Sequence, residues 1–281
     1  MEQQIYYKSS FEFSQLGINL SFTTAPGGYR PLHWHEELEI LYPLNGEADL
    51  TVEGKKYKLQ KKNLTVIESC QVHSMYTYDK TSMFLRIHII KAYLQSYLPD
   101  VELYRINCFP EMIHDEQFPE YYRICELLAE LTRLYIMDTP FFRLEAEGII
   151  LQTVAQLIRY FSSTSAVQLA DTHLMTIDRI RKVMSYVEEH YKENISLQDV
   201  SDLLGIGKEY FCRFFKKNMG ISFLQYLNEV RLSHIYQGLM DTDLPIAELM
   251  EENGFSNQKL FNRSFKELYG CTPSSVRKAP D

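Results

Sequence analysis

The sequence lacks the features of membrane and secreted proteins. No apolar run approaches the ~18 residues that a membrane-spanning helix needs, and the chain does not open with a basic segment followed by an apolar stretch, the pattern of a secretion signal. The five cysteines are scattered and never form a C-x-x-C pair, which argues against disulfides and against a cysteine-rich zinc site. They are Cys70, Cys108, Cys125, Cys212 and Cys271. These absences predict a cytoplasmic protein.

Motifs of common catalytic sites are missing as well. The sequence contains no G-x-S-x-G, no phosphate-binding glycine loop and no H-E-x-x-H. Nothing therefore points to nucleophilic catalysis or to a zinc hydrolase, and we expect the protein not to be an enzyme.

The composition is that of a folded protein. The 281 residues are 45% apolar and 23% charged, which suits two globular domains and excludes general disorder. The net charge of −8 is unevenly spread. Residues 1–174 hold 15 Lys and Arg against 22 Asp and Glu, whereas residues 175–281 hold 14 against 15. Two basic clusters, at 208–217 and 259–266, lie in this near-neutral second part, and DNA binding needs only a basic face.

The first ninety residues predict short strands. Alternating segments recur about every ten residues with turn signals between them, among them Glu53-Gly54, which favours a hairpin. We expect an all-β barrel over residues 1–95. The predicted strands are 36–42, 49–52, 56–59, 63–67, 73–78 and 84–90.

The pattern then changes to a helical period. Apolar residues recur at helical spacing from Phe118 to Tyr135, and Thr139-Pro140 predicts the start of a second helix that runs to about Phe161. The wide apolar stripe of this second helix predicts a dimerisation segment over 96–161, with burial inside one chain as the alternative. Residues 162–175 are small and polar at their start and predict a linker.

The last hundred residues predict an all-α domain, 176–281, that contains an internal repeat. Helix-capping residues occur at Ser196, Ser222, Asp243, Ser256 and Thr272. The segments VSDLLGIGKEYFCRFFKK (200–217) and LMEENGFSNQKLFNRSFK (249–266) each combine a short helix, a glycine, an apolar residue and a basic second helix. A helix, a glycine turn and a basic helix form the helix-turn-helix plan, whose second helix enters the major groove.

Residues 176–278 resemble the paired helix-turn-helix domain of the AraC family of transcription regulators. The most specific segments are GFS at 254–256, the FK that precedes a Tyr-Gly, and the closing TPSSVRK. The resemblance implies binding to double-stranded DNA, a homodimer, and contact with RNA polymerase if the protein is an activator. It implies DNA-facing positions at Lys208, Glu209, Cys212, Arg213 and Lys216, and at Asn257, Gln258, Lys259, Asn262, Arg263 and Lys266.

The sequence departs from the family pattern in the helix that joins the two units. Ile235 stands where the family usually has alanine, and Gly238 where it usually has leucine. The larger and the smaller side chain lie about one turn apart, so we expect them to compensate in volume. Met250 and Asn253 occupy positions that are usually small or apolar.

A group of histidines lies in the predicted barrel. Gly27-x5-His33-x-His35-x3-Glu39-x6-Gly46 matches the first cupin motif in its spacing, and on one continuous strand the three polar residues would share a face. His73 follows on another predicted strand. The second cupin motif matches less well, since Lys62-Asn63 replaces its usual Gly-Asp.

Three interpretations of this group remain open. His33, His35, Glu39 and His73 can hold a divalent transition metal, can hydrogen-bond a small polar effector such as a sugar, or can be structural. The resemblance favours the effector, with Tyr42 and Tyr76 as further contacts and Tyr29 and Tyr78 available to cover a sugar ring. Trp34 has the opposite parity and is expected to pack outward.

We therefore expect a DNA-binding regulator with a cupin-like sensor that responds to a small molecule. Two alternatives stay open. One is a metal-dependent cupin enzyme with a helical appendage, and the other is a regulator that is controlled by a protein partner.

Overall fold

A computed structural model describes residues 8–13, 17–25, 28–78, 81–164 and 170–278. Gly27 of the cupin motif and the centre of the predicted linker, 165–169, lie outside these described residues.

In the described residues of the first part of the chain, nine strands form two antiparallel sheets. The five-stranded sheet has the order β1-β2-β9-β4-β7 and the four-stranded sheet the order β3-β8-β5-β6. Apolar side chains of both sheets meet in one core, which includes Leu41 and Phe84 from the first sheet and Leu50 and Met75 from the second. The strands are β1 (Lys8–Phe13), β2 (Ile18–Ala25), β3 (Gly28–His33), β4 (Leu38–Asn45), β5 (Ala48–Val52), β6 (Lys55–Leu59), β7 (Thr65–Ile67), β8 (His73–Thr77) and β9 (Ser82–Ile89).

The five-stranded sheet is covered on both faces. Along β9, Leu85, Ile87 and Ile89 pack against helices, whereas Phe84 points to the opposite, inner face between the two sheets. Because successive strand residues alternate between faces, Arg86 and His88 also lie on the inner face.

Among the residues that the structure describes, three α-helices and a small two-stranded sheet complete this part. Helix α1 is Lys91–Leu94, α2 is Phe118–Met137 and α3 is Phe142–Phe161. Helix α3 begins later than Thr139-Pro140 predicted, because a turn that closes from Phe142 N–H to the Thr139 carbonyl precedes it. Strand β10 (Tyr104–Ile106) pairs with β11 (Ser162–Thr164).

The predicted linker is ordered at both ends. Its first residues, 162–164, form strand β11 because their backbone pairs with β10. Its last residues belong to helix α4 (Ala170–His190).

The remaining helices form two similar units around a shared long helix. The first unit has α5 (Leu197–Leu203) and α6 (Lys208–Met219), and the second has α8 (Ile246–Glu252) and α9 (Gln258–Tyr269). Helix α7 (Phe223–Asp241) joins them, and α10 (Pro273–Lys278) follows. None of the helices in the described ranges is long and apolar enough to cross a membrane.

Capping groups explain where several of these helices begin. Ser196 and Asp199 form a reciprocal capping box at α5, and Ser222 Oγ accepts a hydrogen bond from Gln225 N–H at α7. The prediction that Ser256 caps α9 is wrong by one residue. Asn257 is the cap, since its side-chain oxygen accepts from the Leu260 N–H at 3.0 Å.

The unusual residues of α7 fit the packing of the second unit. Ile235 is fully buried, and a Cβ on Gly238 would lie 2.7 Å from Leu249 Cδ2. The glycine therefore admits Leu249 of α8 against the α7 backbone. Met250 is buried in the same core, and the buried Asn253 donates from Nδ2 to the Leu249 carbonyl at 2.7 Å. All four departures are thus accommodated.

Candidate functional site

The two units share the geometry of a helix-turn-helix. Gly205 (φ 64°) and Gly254 (φ 77°) form the turns between the paired helices, in a left-handed conformation that suits glycine. In each second helix two phenylalanines four residues apart are fully buried, Phe211 and Phe215 in α6 and Phe261 and Phe265 in α9. Burial of one face leaves the other face of each helix open to solvent.

The open faces carry the predicted DNA-facing residues, and all eleven are exposed. In α9, Arg263 Nε lies 3.9 Å from Glu267 Oε1. Both side chains are exposed, so solvent screens the attraction between their charges. Asn257 caps α9, so its side chain is already engaged with the backbone. The exposed set is Lys208, Glu209, Cys212, Arg213, Lys216, Asn257, Gln258, Lys259, Asn262, Arg263 and Lys266.

The histidine group also comes together, but through different elements from those expected. The expectation of one continuous strand from His33 to Glu39 is wrong: β3 ends at His33, β4 begins at Leu38, and His35 lies in the loop between them. This loop is held by the Cys70 N–H, which donates to the His35 carbonyl at 2.8 Å. His73 pairs with His33 in the sheet register.

Short distances join these side chains to Glu39. His35 Nε2 lies 3.1 Å and His73 Nε2 3.3 Å from the same Glu39 Oε2. The ring centroids of His33 and His73 are 4.1 Å apart. The ligand atoms of His33, His35 and His73 lie within 4.8 Å of one another. We call His33, His35, Glu39, His73 and His88 the histidine cluster.

His88 is a member that sequence reasoning missed. Its Nε2 lies 3.7 Å from Glu39 Oε1, and its ring centroid is 5.0 Å from that of His35. The alternating sequence of β9 was the available signal. The pairing of β9 with β4, which sets His88 opposite Glu39, cannot be read from the residues that neighbour His88 in the sequence. Burial lowers the pKa of His88 to about 4, so the ring is uncharged at neutral pH.

The ring orientations of two histidines have a chemical consequence. His35 Nδ1 lies 3.0 Å from the Glu37 carbonyl, and His73 Nδ1 lies 2.9 Å from the Gln71 carbonyl. Because a carbonyl only accepts, both Nδ1 atoms carry the proton. In a neutral ring the Nε2 atom then directs a lone pair at the Glu39 carboxylate. The repulsion between these lone pairs and the carboxylate is relieved by a proton on each ring or by a metal ion between the rings. Metal-ligating histidines commonly donate from their other ring nitrogen to a backbone carbonyl in the same way.

Glu39 is ionised despite its burial. It is 1% exposed, and burial by itself would raise its pKa. The imidazoles of His35 and His73 and the guanidinium of Arg86 outweigh that effect and hold the pKa well below its ordinary value. The cluster therefore contains a buried negative charge among nitrogen groups.

The structure does not bring Tyr42 and Tyr76 to the cluster. The residues before and after Tyr42 on β4 are buried as well, so this strand is covered on both faces. Tyr42 itself packs in the core between the sheet and the helices. Tyr76 alternates with His73 and Met75 on β8 and faces the other way, where a Cβ on Gly270 would lie 3.5 Å from its hydroxyl. Tyr78 donates to Asp49 on that same outer face.

The outer face of the four-stranded sheet is the contact surface with the helical units. Tyr29 Oη donates to Glu229 Oε2 of α7 at 2.9 Å, and Leu32 packs in the core of the first unit. Trp34 lies under the guanidinium of Arg181 of α4, with 4.9 Å between ring centroid and Cζ. Trp34 thus faces away from the barrel, toward the helical units. Strand β3 therefore carries both His33 and contacts to the helices.

Comparison with protein families identifies two domains. A model described as "Helix-turn-helix domain" matches residues 200–279, and one described as "Cupin domain" matches residues 20–88.

Relatives were found among curated proteins. An uncharacterized HTH-type transcriptional regulator of Staphylococcus aureus (strain MRSA252) is 24% identical over 239 residues, which cover 83% of this chain and 32% of that protein. The HTH-type transcriptional regulator YdeC of Bacillus subtilis (strain 168) is 21% identical over 263 residues, 89% of this chain and 87% of that protein. The chain spans a third or less of the length of the Staphylococcus relatives.

Among solved structures, ToxT from Vibrio cholerae matches with a TM-score of 0.49 and 14% identity, covering 93% of this chain and 97% of that one. The matched domains carry the conclusion: the chain has a cupin domain followed by a helix-turn-helix domain, as the resemblance implied and as the predicted two-part fold required.

Proposed function

We propose that this chain is a transcription regulator in which residues 176–281 bind DNA and residues 1–161 sense a small-molecule effector. The observation that carries the proposal is the repeated unit. Two helix-turn-helix units of the same design expose the second helix of each, and both helices bear Arg and Lys at matching positions.

Binding of duplex DNA follows from the exposed faces of α6 and α9. Arg213 and Arg263 extend from the middle of these helices, where a guanidinium can donate two hydrogen bonds to guanine in the major groove. Lys208, Lys216 and Lys266 supply positive charge for phosphates. Because α7 packs in the cores of both units, it holds them in a fixed relation for two successive groove segments.

The histidine cluster is the proposed effector site. It is a buried polar group between two sheets, and it stays open to solvent because the side chains of His35 and His88 are 15% and 22% exposed. A bound molecule that contacts His33 also contacts the strand that touches the helical units. Strand β3 is thus the proposed route by which occupancy of the sensor changes the DNA-binding domain.

The donor set also fits a divalent transition metal. His33, His35, His73 and Glu39 would hold it, since the Nδ1 protons of two rings are engaged by backbone carbonyls and their Nε2 lone pairs converge. A bound metal would supply a fixed positive charge and open coordination positions for the effector.

A second copy of the chain is the proposed partner of the α2–α3 end of the sensor. Ile136, Met137, Phe141 and Leu144 are each more than two-thirds exposed around this connection. Exposed apolar groups in one patch mark interaction surfaces. Leu144→Glu should convert a dimer into a monomer in light scattering, and an unchanged mass would remove this surface from the proposal.

The proposal is tested by DNA binding of the whole chain as a function of salt. A site selected from random oligonucleotides should bind with high specificity, and its affinity should fall at least about a thousandfold between about 50 and 200 mM salt. Equal, salt-insensitive binding to every duplex, or no binding, would contradict it. The sensor half is tested by Glu39→Gln, which should abolish the thermal shift produced by any stabilising compound while DNA binding persists.

A further inference from the structure

The inner face of the barrel holds an arginine whose charge is only partly matched. Arg86 is 7% exposed and lies on β9 between Phe84 and His88. One terminal nitrogen lies 3.7 Å from Glu39 Oε1, and the other donates to the sulfur of Met75 at 3.7 Å. Among the described residues, Arg86 Nε has no hydrogen-bond partner. A guanidinium offers five donors, and buried donors without acceptors are costly.

Arg86 and Glu39 are the buried charges on this face. Arg30 on β3 is exposed, and Glu37 lies at the outer edge, 3.7 Å from His35 Nδ1 with a side chain 36% exposed, so water screens both. One buried guanidinium thus faces one buried carboxylate, and in the described part of the chain Glu39 meets only one of its terminal nitrogens.

Neutral polar groups line the face beside the arginine. Ser21 and Asn19 of β2 pair with Arg86 and His88 in the sheet register, and Thr23 pairs with Phe84. These residues alternate with Ile18, Leu20 and Phe22, which pack toward the helices. The described structure gives the buried Thr23 Oγ1 no hydrogen-bond partner. The strip can hydrogen-bond the hydroxyl or carbonyl groups of a small molecule.

We propose that the effector is a small organic carboxylate, anchored by the guanidinium of Arg86 beside the histidine cluster. A carboxylate accepts two parallel N–H bonds from one guanidinium. It would supply the acceptors that Arg86 Nε and the terminal nitrogen beside Met75 lack. This assignment deepens the proposed function and depends on its placement of the effector at the histidine cluster.

The test is a thermal-shift and calorimetric titration of the full chain. The probes are pyruvate, citrate and gluconate as carboxylates, glucose and arabinose as neutral compounds, and inorganic phosphate, each with zinc or manganese and with chelator. At least one carboxylate should stabilise the protein, and the neutral sugars should not. Arg86→Gln should weaken the binding of that carboxylate by about 10- to 100-fold, the loss of a charge-assisted hydrogen bond.

Two further variants secure the interpretation. Arg133→Gln is the matched control, because Arg133 lies on α2 and contacts only Glu130 in the hydrogen bonds and ion pairs of the described structure. It should bind the carboxylate as wild type does. If Arg86→Gln does not fold, Arg86→Lys replaces it. The lysine keeps the charge but cannot donate two parallel hydrogen bonds, so it should weaken binding severalfold.

Each outcome decides the assignment. Binding of a carboxylate that Arg86→Gln or Arg86→Lys leaves unchanged, binding of phosphate alone, or no binding of any anion overturns it. A neutral sugar that stabilises wild type but not Glu39→Gln also overturns it, although the effector site of the proposed function then stands. Loss of specific DNA binding by wild type would instead contradict the proposed function.

Discussion

The hydroxyl of Tyr29 donates a hydrogen bond of 2.9 Å to the carboxylate of Glu229, and this bond joins the β-sheet domain to the long helix between the two helix-turn-helix units. Gln225 donates to the other carboxylate oxygen at 3.1 Å. Glu229 is 7% exposed, so the bond is shielded from water. The contact lies four residues before His33 on the same strand, close to the proposed effector.

Removal of the Tyr29 hydroxyl should weaken the contact between the domains. Tyr29→Phe leaves a buried carboxylate oxygen without its donor, which should cost ~1–3 kcal/mol. Thermal unfolding of the whole chain should therefore begin at a lower temperature. The control is Tyr78→Phe, since Tyr78 is exposed and donates to Asp49 within the sheet domain. Its effect should stay within ~0.5 kcal/mol, and equal losses in both variants would contradict the role of Tyr29.

The burial of Glu229 should make stability depend on pH. Burial raises the pKa of this carboxyl above 4.5, although the hydrogen bonds from Tyr29 and Gln225 act in the opposite direction. The folded protein then retains the proton at pH values where the unfolded chain has lost it. Stability contributed by this group is therefore full below pH 4.5 and is lost as the pH rises through the folded pKa.

Glu229→Gln measures this contribution, because the amide oxygen still accepts from Tyr29 and carries no charge. We expect the urea midpoint of wild type to fall relative to that of the variant between pH 5 and pH 8. Parallel midpoints over this range would show that the carboxylate is not destabilised in the folded state.

Two glycines in helices should respond oppositely to the same substitution. Gly238→Ala places a Cβ 2.7 Å from Leu249 Cδ2 in a buried core, and overpacking of this kind costs ~1–3 kcal/mol. Gly148→Ala on α3 meets no atom within 4 Å, and the better helix propensity of alanine should stabilise by ~1 kcal/mol. Chemical denaturation of both variants checks the pair. A stabilised Gly238→Ala would contradict the close packing of α7 on α8.

The strands and helices were largely predictable because their signals are local. Alternation along β5 and the paired phenylalanines of α6 and α9 reflect burial of one face, and the sequence shows that period directly. The start of α3 at Phe142 was missed because a non-helical turn at Thr139 uses the same residue types as a cap.

The site was predictable only in part because long-range pairing builds it. Tyr42 lies on β4, which is buried on both faces, so its parity did not show which core it enters. Arg86 and His88 reach the cluster through the register of β9 against β4, which neighbouring residues do not specify. The convergence of His35 with Glu39 was predicted for the wrong reason, since the loop between β3 and β4 rather than one continuous strand brings them together.

The central claim is that α6 and α9 bind two successive segments of one DNA site, and footprinting tests it most directly. The site selected by wild type is probed with wild type, Arg213→Ala and Arg263→Ala. Each exposed arginine should protect its own segment, with the two segments about one helical turn (~34 Å) apart. Each variant should lose protection and ~1–3 kcal/mol of base discrimination in one segment only. If both variants lose the same protected bases, or neither loses any, the two-segment account is contradicted.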